Sequence, residues 1–297
     1  MREVPRFLSI AIAVSSLSAC SAAPLAEFGA LSQAGISFAD QAPHLLNQAL
    51  TDQINRDSAQ LVVERDGPAG KAAVVDQLET RNTLFEQRAA TYETIAGHAR
   101  TLSAYFVEIG RLADGNDDPP IGQAIDGLAT QLSSTSAALT GVSIGGTALG
   151  SVAADVAPVL VGFARRGALQ RVLRAHSQTV LEAIELQRKT YERLNQIEVS
   201  AMREISQNRM TAEVLAPFAG DGPLPQDWSS IRVQLLTAEP PPTAYDEAMM
   251  TADTLATTYR ALAAGQATAA SIAGLVSDVQ ALIAAVEQQP VQRSSEQ

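Results

Sequence analysis

Three long stretches of this chain repeat apolar residues at three- and four-residue steps, and nothing else in the sequence restricts the fold so tightly. In the first, Val75, Leu78, Phe85, Ala89, Tyr92, Ala96, Ala99, Phe106 and Ile109 trace one face of an α-helix. Gly67-Pro68 and Asp114-Gly115 bracket it, so a helix from Lys71 to Ala113 holds 43 residues and reaches about 65 Å. The second stripe runs from Leu169 through Leu173, His176, Val180, Ile184, Gln187, Tyr191 and Leu194 to Leu215 and stops at Pro217. As one helix from Arg165 to Ala216 it is 52 residues, about 78 Å. The third follows Pro240-Pro241-Pro242, passes along Tyr245, Met249, Ala252, Ala256, Tyr259, Ala263 and Ala270 to Val286, and stops near Pro290.

Helices apolar on one narrow face are unstable alone and must bury those faces against one another. The expected fold is all-α: an elongated antiparallel helical bundle with three long helices. Short Pro- and Gly-rich connectors such as 219–225 make sequence neighbours antiparallel. Shorter helices are expected at about Asp40 to Glu64, Ile121 to Leu139, Thr147 to Phe163 and Gln226 to Thr237. No sustained apolar–polar alternation argues for a sheet. The domain plan is a signal segment over 1–19, a tether over 20–35, one helical bundle over 36–289 and a disordered tail over 290–297.

The amino terminus carries an address. Arg2 and Arg6 precede an apolar or small-residue stretch, Phe7 to Leu17, which is the layout of a cleaved secretory signal. Its 11 residues fall short of the roughly 20 that span a bilayer core. Leu17-Ser18-Ala19-Cys20 then resembles the lipobox of bacterial lipoproteins, and Cys20 is the single cysteine of the chain. The resemblance implies that the Cys20 thiol receives a diacylglyceryl group, that cleavage makes Cys20 the new amino terminus, and that acyl chains such as palmitate hold the protein to a membrane. Ser21 stands where that family places Asp for inner-membrane retention, which implies outer-membrane sorting on the periplasmic side.

Cleavage removes Arg2, Arg6 and Glu3, taking the formal charge from −11 to −12. Such a surface repels nucleic acid. An acylated Cys20 leaves no thiol pair for a disulfide, so packing must supply the stability.

Catalytic and metal motifs are weak. Asp114-Gly115-Asn116-Asp117-Asp118 opens like a calcium loop, but Pro119 stands where the turn glycine belongs and Ile125 where the closing Glu belongs. Gly145-Gly146-Thr147-Ala148-Leu149-Gly150 lacks the Lys-Ser/Thr of a phosphate loop. His176, Gln187 and Asn208 are polar members of an apolar stripe, positions that commonly set register. His44 and His98 have no carboxylate at i+3 or i+4. No catalytic residue, cofactor or metal is expected.

Leu139 to Phe163 is the most apolar internal stretch, with Asp155 its one charge and Arg165, Arg166, Arg171 and Arg174 crowded after it. Gly141/Gly145 and Gly146/Gly150 have the four-residue spacing that lets helices approach closely. The expected form is a glycine-rich helical hairpin inside the bundle. As a membrane-contacting element, with Gly141, Gly145, Gly146, Gly150, Arg165 and Arg166 against lipid, it resembles in layout the helical pore-forming toxins of the cytolysin A type. The reading favoured overall is a lipid-anchored envelope lipoprotein with a structural or protein-interaction role, bound to membrane lipid through acylated Cys20 and to an envelope protein. The alternatives are a membrane-active helical protein and an envelope enzyme or ligand binder with a hidden site.

Overall fold

The computed structural model describes residues 23–65, 71–115, 119–150, 166–238 and 242–288. Nine α-helices occur in these segments: α1 (Ala23–Arg65), α2 (Lys71–Ala113), α3 (Pro119–Leu139), α4 (Arg166–Ala175), α5 (Ser177–Arg209), α6 (Ala216–Ala219), α7 (Trp228–Thr237), α8 (Ala244–Ala264) and α9 (Ala269–Gln288). A π-helical turn, Met210–Leu215, joins α5 to α6. The fold is an all-α bundle, as the periodicity predicts. One small exception to that class is a two-stranded hairpin, β1 (Ser143–Ile144) and β2 (Thr147–Ala148), antiparallel with Ile144 opposite Thr147.

Cross-helix bonds fix the directions. Ser32 Oγ donates to the Phe106 carbonyl at 2.6 Å, Gln53 Nε2 donates to Tyr92 Oη at 3.2 Å, and Arg81 reaches Asp57 at 3.0 Å, so α1 rises as α2 falls. Tyr259 Oη donates to the Leu173 carbonyl of α4 at 3.1 Å and Asn195 Nδ2 of α5 donates to Asp246 Oδ1 at 2.7 Å, so the α4–α5 segment runs antiparallel to α8. The core lies where α1, α2, α5 and α8 meet, with Phe28, Phe38, Tyr105, Phe106, Tyr191 and Tyr259 fully buried. Edge-on ring pairs knit it together: Phe38 with Tyr191 at 6.0 Å and Phe106 with Tyr259 at 6.4 Å between centroids. Gly35 is held to glycine by the Phe106 ring, against which a Cβ would collide.

Three expectations are corrected. The tether proposed over 20–35 is helix from Ala23 on, with Phe28 and Leu31 fully buried; single apolar residues among Ala, Gly and Ser hid its stripe. The middle stripe is not one α-helix: the chain breaks at His176 (φ −106°, ψ 7°), and from Met210 the helix passes through a π-helical turn. The third stripe is a hairpin of two helices. Gly265 adopts the left-handed conformation (φ 75°), which glycine tolerates at a helix end. Gln266 N–H then bonds the Ala261 carbonyl at 2.7 Å and the chain reverses into α9. The signal segment, Cys20 and the tail lie outside the described residues.

Helix α8 starts with a reciprocal cap: Asp246 N–H bonds Thr243 Oγ1 at 3.2 Å and Thr243 N–H bonds Asp246 Oδ2 at 2.9 Å. The same Thr243 hydroxyl donates to Asn195 Oδ1 at 2.8 Å, tying the cap to α5. Thr243→Ala is expected to lower stability by about 1–2 kcal/mol in urea unfolding, the upper half of the range for lost caps, because it also takes the Thr243 donor from Asn195 Oδ1.

Candidate functional site

Beyond the core, two arms leave the bundle at the same end. The first is the α1–α2 hairpin from about residue 50 to 91. Its seam is polar: Arg81 bonds Asp57 Oδ1 at 3.0 Å and Glu64 Oε2 at 2.9 Å, and Arg88 donates to Gln53 Oε1 at 3.1 Å. The hydrogen bond to Glu64 is the largest of the influences that raise the Arg81 pKa and keep it charged. Leu61 and Val74 are the large aliphatic side chains buried along this part of the pair. Val62, Val63, Val75, Leu78 and Leu84 face outward, and Val63 is 74% exposed. Polar inside and apolar outside is the reverse of what a solvated helix pair needs.

The second arm is the distal half of α5 with the π-helical turn, α6 and α7. The turn widens the helix just where Arg209 pairs with Glu213 at 2.8 Å, and such turns recur at functional sites. Helix α7 folds back on it: Trp228 Nε1 donates to the Val214 carbonyl at 3.0 Å, Phe218 stacks on Trp228 at 5.5 Å, and Arg232 lies 5.8 Å over the indole. Ile231 and Leu235 turn inward, half-buried, while Leu215, Phe218, Val233 and Leu236 point outward, each more than half exposed. At the roots of the arms Arg56 meets Glu198 at 2.9 Å. There the Asp52 carboxyl is pushed up, by burial first and then by the Glu198 charge. Among the described residues, Val107, Met250 and Val276 are the exposed large apolar side chains that lie elsewhere. Large contiguous apolar patches are uncommon on monomeric proteins and single exposed apolar residues are ordinary; here the exposed apolar residues gather on the two arms.

The most enzyme-like grouping is buried in the body. His98 on α2 has Nε2 at 2.9 Å from Ser136 Oγ on α3 and Nδ1 at 2.9 Å from Gln187 Nε2 on α5. A hydroxyl beside an imidazole suggests an activated nucleophile, but the chemistry runs the other way. With the Gln187 amide donating to Nδ1, the ring proton sits on Nε2 and is donated to Ser136, so the imidazole cannot remove the serine proton. Burial alone lowers the His98 pKa from 6.5 to about 4, far from the pH where a base is useful. Gln187 Oε1 and Tyr191 Oη, one turn apart, are buried without a partner. The node joins three helices and is a positioning device.

Its titration is measurable. The unfolded chain binds this proton more readily than the native one, so the stabilisation is complete above pH 6.5 and is lost as pH falls toward about 4. The difference corresponds to about 3 kcal/mol. Urea midpoints of wild type are expected to fall across that window by more than those of His98→Gln; parallel curves would contradict the assignment.

A groove of about 380 Å³ between α1 and α2 is lined by Pro43, Leu46, Leu50, Ala89, Tyr92 and Ala96. Its charged lining residues, Glu93 and Arg100, pair with each other at 2.7 Å on the exposed side, which lowers the Glu93 pKa. Among the described residues no three His, Cys, Asp or Glu side chains converge as a metal ion requires.

The glycines predicted to bring helices together do something else. Gly145 (φ 60°) and Gly146 (φ 80°) are the two turn residues between β1 and β2, and Gly150 (φ 74°) closes the loop by bonding the Thr140 carbonyl at 3.1 Å. Left-handed backbone at both turn positions is what a Gly-Gly hairpin supplies. Gly141 lies in the turn that ends α3. The helix expected from Thr147 is therefore corrected to a strand at its start. A Cβ on Gly145 would come within 2.9 Å of Ile197, so the hairpin seats on α5 through that glycine. Residues 151–165, with Asp155 and Arg165, lie outside the description; Arg166 opens α4. Sequence reasoning missed the arm surface, whose outward residues Val75 and Leu78 it had assigned to the buried stripe.

No family model, curated protein or solved structure matches the chain significantly.

Proposed function

We propose that the protein is a lipid-anchored cell-envelope lipoprotein without catalytic activity, whose role is to hold an apolar protein-binding surface away from the membrane that carries it. The observation that carries this reading is the gathering of outward apolar side chains on two arms at one end of the molecule. Helix α1 begins three residues after Cys20 and runs unbroken for 43 residues, about 65 Å, from beside the anchor to the tip of the first arm. An acylated Cys20 would place one end of this helix at the bilayer and the arm tips at the other. The enzyme-like node of the body between is arranged as a structural tie.

A weaker second reading is membrane activity. Helix α9 is long and apolar enough to cross a bilayer, with a mean hydropathy of 1.7 over its best window and only 22% of that window buried. It is nonetheless sited on the bundle through Ile272, Leu275, Val279 and Leu282. Cys20→Ser is expected to move the protein from the membrane to the soluble fraction of the envelope without changing its helical circular dichroism. A variant that stays membrane-bound favours α9 over the anchor.

A further inference from the structure

Helix α3 is held to the bundle in a way that singles it out. Its inner face is apolar, with Ile121, Ile125, Leu132 and Leu139 buried. Among the described residues, two side-chain hydrogen bonds leave α3 for other helices, and each ends on a histidine. Near its start Asp126 Oδ1 lies 3.0 Å from His176 Nε2 at the α4–α5 break; near its end Ser136 Oγ lies 2.9 Å from His98 Nε2. Two of the three histidines in the chain therefore clamp one helix.

Histidine is the side chain that gains charge on mild acidification, and the two clamps have unlike surroundings. His176 faces the Asp126 carboxylate from α3 and the edge of the Tyr105 ring from α2, 6.2 Å between centroids. Arg174, two residues before it, is turned away to the Ala263 carbonyl of α8. His176 therefore has a carboxylate within hydrogen-bond reach. His98 faces Ser136 from α3 and Gln187 from α5, both uncharged, while Glu93 and Arg100 on its own helix pair with each other outside. A proton on His98 creates a buried cation with no counter-charge. Once its amide turns, the unpartnered Gln187 Oε1 can accept from Nδ1–H. The desolvation of the cation then still opposes the closed state. His98 is 1% exposed, whereas Ser136 above it is half-buried, so lifting the end of α3 is the short route by which water reaches the ring.

We propose that α3 is an acid-responsive flap, hinged at Asp126–His176 and released at Ser136–His98, whose opening uncovers Leu132, Leu139 and the polar node beneath. The device does not depend on the anchor and would operate in a chain that carries no lipid.

The test uses the full chain with Cys20→Ser and two pairs of spin labels on exposed sites: Ser133 with Met250 across the releasing end, and Gln123 with Met250 across the hinge. Distances are recorded from pH 8 to pH 4. The Ser133 pair is expected to lengthen and broaden as pH falls while the Gln123 pair holds. In His98→Gln, checked for native helicity at pH 8, the lengthening disappears; in Ser136→Ala, a milder change at the half-buried partner, it begins at higher pH. A Ser133 distance constant to pH 4, both pairs lengthening together, or an undiminished response in His98→Gln would each overturn the proposal.

Discussion

Glutamate substitutions at Leu236 and Val233 on one arm, and at Val63 and Val75 on the other, are expected to reduce crosslinking to the proposed envelope partner at least tenfold. The thermal midpoint should not move. These side chains are 53–74% exposed, so they contribute little to the fold, and surface changes of this kind usually alter stability by about 0.5 kcal/mol or less. A charge placed where an apolar side chain is desolvated on binding costs about 2 kcal/mol or more at a hot spot, roughly thirtyfold in affinity. The matched control is Val107→Glu on the body, which should bind as wild type does. Equal recovery for arm and body variants would remove the reason for assigning the arms to a partner.

Tyr259→Ala should be the most damaging single change in the body. The ring is fully buried and edge-on to Phe106, and its hydroxyl donates to the Leu173 carbonyl and lies 2.9 Å from Tyr105 Oη. Truncating a buried aromatic costs about 3–5 kcal/mol, and orphaning the Leu173 carbonyl and the Tyr105 hydroxyl adds to it. Tyr259→Phe keeps the volume and separates the two contributions; its expected cost is about 1–3 kcal/mol. Urea unfolding of the pair measures both, and a Phe variant as unstable as the Ala variant would show that the hydroxyl network outweighs the packing.

The all-α class was legible in the periodicity because an apolar face at three- and four-residue steps has no other stable use. Helix α2 was legible to the residue, since Gly67-Pro68 and Asp114-Gly115 bracket it. The breaks were not. Gly265 sits among alanines whose spacing carries the stripe straight through, and only the tertiary packing of α9 back on α1 and α8 decides that the chain turns there. Helix α9 begins with the same kind of reciprocal cap as α8: Ser271 N–H bonds Thr268 Oγ1 and Thr268 N–H bonds Ser271 Oγ. The arm surface was illegible for a different reason. Val75 and Leu78 fit the α2 stripe as well as Tyr92 and Ala96 do, and a sequence does not say where along a long helix the bundle ends. Gly145-Gly146 could have been read as a hairpin turn from its dipeptide alone; the apolar run around it drew the helical reading instead.

The account stands on what happens at residue 20, and the mass of the amino-terminal peptide of the protein isolated from its native cells decides it. The account predicts a peptide that begins at Cys20 and carries a diacylglyceryl adduct on the thiol. An unmodified peptide, or one that begins at any other residue, would contradict it.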